Sequence, residues 1–308
     1  MCKKRNGLLE IYRLLLCFWP LYFHNFLFER YDNIRFTTAE LAVDFFFLLS
    51  GFFLLGALRK EKDSRLFAGL GRLIYSRLKP MLYTIGFIVA FNLVCVAIFV
   101  REDYLGVLFD LFKYWWFVLG LLIAIGLFYL FYRLFRSEKL FALFLVFVTI
   151  LAASVHYIVN VKGMWHINFI YFTRTYGCIS VGMLLSLIPR IKVGRFNYCI
   201  PVVAILIPTL LYLAYGKKNY FICLFMILLF GALVYFSYGI PVGGRVFDFL
   251  GRLSVKIYLY MALLTMLRMM GLAENRLLFV IDILLALMNT LLEYYRDEYK
   301  RLKKQNVN

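Results

Sequence analysis

The stretch Ala39–Leu58, AELAVDFFFLLSGFFLLGAL, decides the fold. Apart from Glu40 and Asp44 it holds only apolar residues, small residues and one serine. A helix needs about 20 mostly apolar residues to cross the hydrocarbon core of a bilayer. The stretch therefore predicts a transmembrane helix with Glu40 near its first end and a second carboxylate, Asp44, several residues further inside.

The same composition extends over the whole chain of 308 residues, of which 64% are hydrophobic and 17% charged. Soluble domains are about 45–50% apolar and about 25% charged, so a soluble enzyme and a disordered chain are both excluded. We expect an all-α, polytopic membrane protein with one embedded domain over 1–308 and no extracytoplasmic soluble domain. Stretches of the required length predict about ten transmembrane helices, near 8–28, 39–58, 81–100, 115–132, 139–159, 174–189, 199–215, 220–238, 252–271 and 276–294.

The charge balance predicts the orientation of these helices. The chain has 35 Lys and Arg against 17 Asp and Glu, which gives a net charge of +18. The basic residues concentrate in alternate connections, including both ends of the chain, and cytoplasmic loops carry such an excess. We therefore expect both termini in the cytoplasm, membrane lipid rather than nucleic acid as the partner of the basic residues, and a multi-pass membrane protein.

The cysteines do not predict a metal site or a disulfide framework. The six are scattered, five of them in or beside apolar stretches, and none forms a CxxC or Cys/His spacing. We interpret them as small apolar packing residues and expect no metal.

Three ionisable residues near the start of the chain are candidates for chemistry. Arg13 and His24 lie about three helical turns apart, so both fall on one stripe of the first predicted helix, separated by roughly 16 Å. Asp44 lies about five residues from the outer end of the second helix, and His24 lies about four residues from the outer end of the first. If the two helices are antiparallel neighbours, the two side chains lie at a similar depth. A carboxylate beside an imidazole stabilises its protonated form and suits it to act as a general base. His24 and Asp44 are therefore the catalytic candidates.

Each of these residues also has a simpler interpretation. Arg13 could extend to the cytoplasmic headgroups with Glu10 as its partner three residues earlier. His24 could be an interfacial histidine with a satisfied hydrogen bond. The basic residues of 72–79 could hold a nucleotide phosphate, or could mark topology and contact anionic lipid.

The outer stretch from His156 to Arg174 has the aromatic and hydrogen-bonding residues that suit sugars, among them Trp165 and His166. Aromatic residues at that depth are equally typical of the belt at a membrane interface. Outside the first two predicted helices, few charges are expected to lie deep in the membrane.

These segments together resemble the membrane-bound acyltransferase family 3. The segment Asn6–Arg13, followed by His24, looks like the family's opening "N-x-x-IE-x-x-R…H", and Val43–Phe52 is similar to its "VD-x-FF-x-x-SGF" signature. Arg77-Leu-Lys-Pro80 matches its "R-x-x-P". Two later segments are similar to further family helices: Arg174 with Gly182–Leu185, and Leu250–Ser254 with Ile257–Leu259. Met261 stands where the family often has a histidine.

The resemblance implies an O-acyltransferase that moves an acyl group, usually acetyl, from cytoplasmic acyl-CoA to a hydroxyl of a cell-surface glycan or a lipid-linked saccharide. It implies no permanently bound cofactor, with acyl-CoA as the donor substrate. His24, oriented by Asp44, would act as the base. Donor phosphates would be held by Arg13, Arg72, Arg77 and Lys79, and the acceptor would be contacted by Trp165, His166 and Arg174.

Two alternatives remain open: a transporter or flippase of lipid-linked saccharides, and a non-catalytic membrane protein of polysaccharide assembly. Charges spread through many helices would favour a transporter, because they would line a translocation path. Charges confined to the first two helices, beside a basic cytoplasmic segment, would favour the enzyme.

Overall fold

The computed structural model describes residues 6–22, 37–99, 116–135, 137–162, 167–189, 220–240, 242–269 and 275–305. Within these ranges 93% of the residues are helical and none lies in a strand, so the all-helical fold class is confirmed there. The described helices are α1 (Gly7–Tyr22), α2 (Thr37–Lys60), α3 (Leu66–Phe99), α4 (Trp116–Phe135), α5 (Glu138–Lys162), α6 (Ile167–Leu187), α7 (Tyr220–Tyr238), α8 (Arg245–Met269) and α9 (Asn275–Gln305).

Four segments of the described chain are long and apolar enough to cross a membrane. They are Ala42–Lys60 in α2, Trp116–Phe135 in α4, Glu138–Ile158 in α5 and Leu277–Lys300 in α9, and Leu224–Tyr238 in α7 is a shorter apolar segment. The four coincide with spans expected from the sequence. The expected span 199–215 lies outside the described residues. The count of about ten spans and the cytoplasmic position of both termini stay predictions.

The exposed side chains of α5 fit a lipid environment. Leu143, Phe147 and Ile150 are 65%, 61% and 60% exposed, and their spacing places them on one face of the helix. A contiguous apolar face of this kind would be unfavourable in water, whereas lipid chains cover it without cost. The face therefore agrees with the membrane span expected at 139–159.

Helix α3 begins earlier than the sequence predicts. The third span was expected at 81–100, after a connection over 59–80, but α3 runs unbroken from Leu66 to Phe99 with Pro80 inside it. A proline removes one helical hydrogen bond, and the rest of the ladder on both sides of it is kept. Hydropathy marks only the part of a helix that lies in hydrocarbon, so the polar turns before Pro80 gave no signal of helix.

The chain divides into two compact units, and the boundary falls within α3. One unit holds residues 1–32, 79–115 and 241–308, and the other holds 33–78 and 116–240. In the first unit, α1 packs on α8 and α8 packs on α9. In the second, α6 packs on α2, α4, α5 and α7. The single domain expected from the sequence stays a prediction.

The first unit fixes the start of α1. The Asn6 side chain accepts hydrogen bonds from the backbone N–H groups of Leu8 and Leu9, at 3.1 and 3.3 Å. This is an N-cap, and it satisfies donors that the first turn of a helix leaves without partners. The N–H of Gly7 donates to the carbonyl of Val242, at 2.6 Å, just before α8 begins. The polar start of α1 is therefore tied to the start of α8.

In the second unit, α2 and α6 approach each other at two glycines. A Cβ atom on Gly51 of α2 would overlap the backbone carbonyl of Ile179, and one on Gly182 of α6 would overlap the carbonyl of Leu48. Small residues allow such close backbone contact between membrane helices, where dispersion rather than the hydrophobic effect holds the helices together. The glycines of two separate sequence motifs therefore form one helix contact.

This contact predicts a strong position dependence for glycine substitutions in α2. We expect Gly51→Ala to lower the free energy of unfolding by about 1–3 kcal/mol, because the added methyl group forces the helices apart. The matched control is Gly56→Ala on the same helix, where a Cβ meets no atom within 4 Å. This control should leave stability unchanged or raise it by up to about 1 kcal/mol. Unfolding in detergent measures both variants, and equal stabilities would contradict the packing.

Candidate functional site

The centre of the second unit holds a buried ion pair between α2 and α6. Arg174 donates to Asp44 through two nitrogens, Nε to Oδ1 at 3.0 Å and Nη2 to Oδ2 at 2.7 Å. Asp44 is 3% exposed and Arg174 is 8% exposed. Two parallel hydrogen bonds of this kind fix the planes of both groups relative to each other. The sequence singled out both residues but did not predict that they pair.

A buried free cysteine, Cys178, lies near the Asp44 carboxylate, one helical turn after Arg174. A carboxylate offers about four acceptor positions, so the two hydrogen bonds from Arg174 leave room for a further donor. The expected partner, His24, lies outside the described residues. The pairing of His24 with Asp44 stays a prediction.

Buried aromatic side chains lie close to Asp44 along α2. Phe45 and Phe47 are fully buried, and Phe47 lies against Phe117 of α4 with ring centroids 4.5 Å apart. In such an apolar setting the loss of one charge leaves the other without compensation. The ion pair therefore holds the Asp44 carboxylate in one orientation.

The three residues expected to contact an acceptor fall in different places. Trp165 and His166 lie outside the described residues. Arg174 directs Nε and Nη2 at Asp44, so it is a partner of the catalytic candidate, and its contact with an acceptor stays a prediction. The rule that oppositely charged groups inside a membrane pair with one another was the signal that could have joined Arg174 to Asp44.

Arg13 lies in the first unit and pairs with Glu10. Its Nη1 donates to Glu10 Oε2 at 2.9 Å, and the Arg13 side chain is 23% exposed. This is the i,i+3 pair of the simpler interpretation. One nitrogen is used in this bond, and a guanidinium has five N–H donors. The ion pair is therefore compatible with a further anionic ligand, and donor binding by Arg13 stays a prediction.

The remaining donor-binding candidates lie on α3. Arg72 forms an exposed ion pair with Glu61, with Nη2 and Nε at 2.6 and 3.0 Å from Oε2. This hydrogen bond lowers the pKa of Glu61, so the pair forms at neutral pH and is lost only as pH falls through that lowered pKa. Arg77 and Lys79 follow on the same helix, and each interacts with other groups of the protein. Their binding of a donor phosphate stays a prediction.

The turn that carries Glu61 is held by α4. Tyr129 Oη donates to the carbonyl of Glu61 at 3.3 Å, and Arg133 Nη1 donates to the carbonyl of Ser64 at 2.5 Å. Two side chains one turn apart on α4 thus fix the loop between α2 and α3. Glu61 is presented to Arg72 from an ordered turn, so it competes with any anionic ligand of Arg72.

Three charged side chains outside the first two helices are buried in the protein, and their depth in the membrane stays a prediction. Lys256 of α8 is 1% exposed, Asp282 of α9 is 0% exposed, and Arg174 of α6 is buried as described above. One charge in the apolar part of α9 that holds Asp282 barely changes its mean hydropathy. Buried charges therefore occur outside the first two helices, as a transporter would require.

In the described ranges, no group of three or more His, Cys, Asp and Glu side chains could hold a metal ion. The absence of a metal from the chemistry stays a prediction. No family model, no curated protein and no solved structure matches the chain. The resemblance to the acyltransferase family therefore rests on the quoted motifs alone and stays a prediction.

Proposed function

We propose that the protein is a membrane-embedded O-acyltransferase of a bacterial plasma membrane. It would move an acyl group, in the first instance acetyl, from cytoplasmic acyl-CoA to a hydroxyl of a cell-surface glycan or lipid-linked saccharide. One observation carries this proposal: two motifs about 130 residues apart, Val43–Phe52 and Arg174–Leu185, meet in one buried site. Their acidic and basic residues form an ion pair, and their glycines form the helix contact.

A similar pairing of motif-bearing helices in the first unit also supports the proposal. Helix α1, which carries Arg13, packs on α8, which carries the segment from Leu250 to Leu259. On α8, Ser254 is buried and donates to the carbonyl of Gly251 at 3.0 Å. Helices α1 and α8 thus form one pair of motif-bearing helices in the first unit, and α2 and α6 form another in the second unit.

The proposed chemistry is direct acyl transfer. His24 takes the proton of the acceptor hydroxyl as its oxygen attacks the thioester carbonyl, and a C–O bond forms. The C–S bond then breaks, and the proton passes to the leaving sulfur to give the free thiol of coenzyme A. Asp44 orients His24 and stabilises its protonated form, and Arg174 holds Asp44 in place. The basic groups Arg13, Arg72, Arg77 and Lys79 hold the phosphates of the donor.

Acyl transfer in isolated membranes tests this proposal. Membranes that contain the protein should transfer radiolabelled acetyl from acetyl-CoA to surface glycan, and membranes from cells without the gene should not. Equal labelling in both would contradict an acyltransferase.

The second candidate function is a transporter or flippase of lipid-linked saccharides. The buried charges Lys256 and Asp282 favour it, because a translocation path needs polar groups along its length. It predicts that loss of the gene changes how much saccharide reaches the outer leaflet while its acylation is unchanged.

The donor-binding role of Arg72 predicts the effect of removing its competitor. Glu61→Gln releases the Arg72 guanidinium, so we expect the KM for acyl-CoA to fall about two- to fivefold, the range that an exposed ion pair allows, with kcat unchanged. Glu138→Gln is the matched control, because it breaks a similar exposed pair with Arg59, at 2.8 Å. Steady-state kinetics should show an unchanged KM for this control. An equal fall in both variants would indicate only a general effect of net charge.

A further inference from the structure

A row of polar groups lies along the contact between α8 and α9, within the first unit. Residues four apart on α8 meet residues of α9 in successive steps. Arg252 Nη1 lies 2.6 Å from Asp297 Oδ2, Lys256 Nζ lies 2.9 Å from Glu293 Oε2, and Asn289 Nδ2 donates to Tyr260 Oη at 2.8 Å. Exposure falls along the row, from 31% at Arg252 to 2% for the Lys256 side chain. The row therefore leads from a partly exposed end into the interior.

The third step of the row continues to α3. Asn289 Nδ2 also donates to Thr84 Oγ1 at 3.2 Å, and Asn289 is 4% exposed. The other side-chain atom of Asn289, Oδ1, is buried and has no hydrogen-bond partner. Beyond the two ion pairs, the row therefore continues through the hydroxyl groups of Tyr260 and Thr84 and the amide of Asn289, whose oxygen Oδ1 accepts no hydrogen bond.

Beyond the row, Asp282 lies about two turns before Asn289 on the same face of α9. Asp282 is 0% exposed, and neither of its carboxylate oxygens has a hydrogen-bond partner. It lies inside Leu277–Lys300, a segment able to span a membrane. Among the described titratable groups, Cys17 of α1 and Tyr260 of α8 lie near it.

An ionised carboxylate cannot persist in this setting. Burying an unpaired charge in an apolar medium costs far more than binding a proton, so the group becomes neutral instead. A metal cation does not fit the same groups. Asp282 and Asn289 are seven residues apart, roughly 10 Å along the helix, whereas a cation holds its oxygen ligands at about 2–2.6 Å. Two or three water molecules would span that distance.

We propose that Asp282 is a proton-binding site inside the membrane, and that the polar row along α8 and α9 carries protons between it and the partly exposed end at Arg252. Proton uptake converts the carboxylate to the carboxylic acid, and release reverses the step. Acyl transfer has no net proton change, so the site is separate from the proposed function. It gives the protein a means to respond to pH or to a proton gradient.

Infrared spectroscopy of the full-length protein in lipid tests the site without any substrate. At neutral pH we expect the carbonyl stretching band of a neutral carboxylic acid, and its loss in Asp282→Asn. The matched control is Asp297→Asn on the same helix, where the side chain is 44% exposed, and the band should persist. A band that survives Asp282→Asn, or its absence from the parent protein, would overturn the proposal. Thermal unfolding of both variants confirms that each is folded.

A second variant tests the path with Asp282 unchanged. Tyr260→Phe removes one hydroxyl from the row and leaves the bond between Asn289 and Thr84. On transfer to deuterium oxide, the shift of the carboxylic acid band should slow by an order of magnitude or more in this variant. An unchanged rate would overturn the path along α8 and α9.

Discussion

Replacing Asp44 by Asn is expected to lower the free energy of unfolding by about 3–5 kcal/mol, the cost of leaving one partner of a buried ion pair uncompensated. The substitution keeps the size of the side chain, so the loss reports charge rather than packing. Arg174, 8% exposed, keeps its charge and loses its anion. Thermal unfolding in detergent, followed with a thiol-reactive dye on the buried cysteines Cys17 and Cys178, measures the change.

A double-mutant cycle separates this ion pair from general damage. Arg174→Gln alone should cost a similar amount, because it leaves the carboxylate buried without its cation. The double variant Asp44→Asn/Arg174→Gln should be more stable than the two single losses added together, because no charge remains unpaired. Glu61→Gln serves as the exposed control and should change stability little. Strictly additive losses would contradict a direct interaction between Asp44 and Arg174.

Replacing His24 by Ala is the second large expected effect. General-base catalysis contributes about 10²–10⁴-fold to a rate, so the acyl-transfer rate should fall by that factor. Leu15→Ala on α1 is the control, because Leu15 is 51% exposed. It tests whether α1 tolerates the replacement of a side chain by alanine. This control should keep full activity.

Two measurements complete the test of His24. Unfolding should show that His24→Ala is folded, and free imidazole added to the assay should restore part of its rate by supplying a replacement base. A folded His24→Ala protein with full activity would contradict the mechanism, whatever the stability of the Asp44–Arg174 pair.

The helical fold could be predicted from the sequence because apolar length is a strong signal. The stretch 39–58 coincides with a spanning segment of α2, and 139–159 with one of α5. The extent of α3 and α9 could not be predicted in the same way. Both helices continue into charged segments, to Gln305 in the case of α9, and hydropathy gives no signal where a helix leaves hydrocarbon.

The candidate site was predicted residue by residue but not as pairs. Asp44 and Arg174 were both singled out, yet their contact depends on which helices pack together, and that information is not local. The two glycines, Gly51 and Gly182, set the distance between α2 and α6, and each looked like a separate small-residue motif. Asp282 was missed because one charge in a long apolar stretch barely changes its mean hydropathy.

The central claim is that this protein acylates a cell-surface glycan, and mass spectrometry of that glycan tests it most directly. Glycan from cells with the gene is compared with glycan from cells in which it is deleted. We predict an acyl group, in the first instance acetyl, on a hydroxyl of the first glycan and its loss from the second, with return when the gene is restored. Identical acylation of the two glycans would contradict the account.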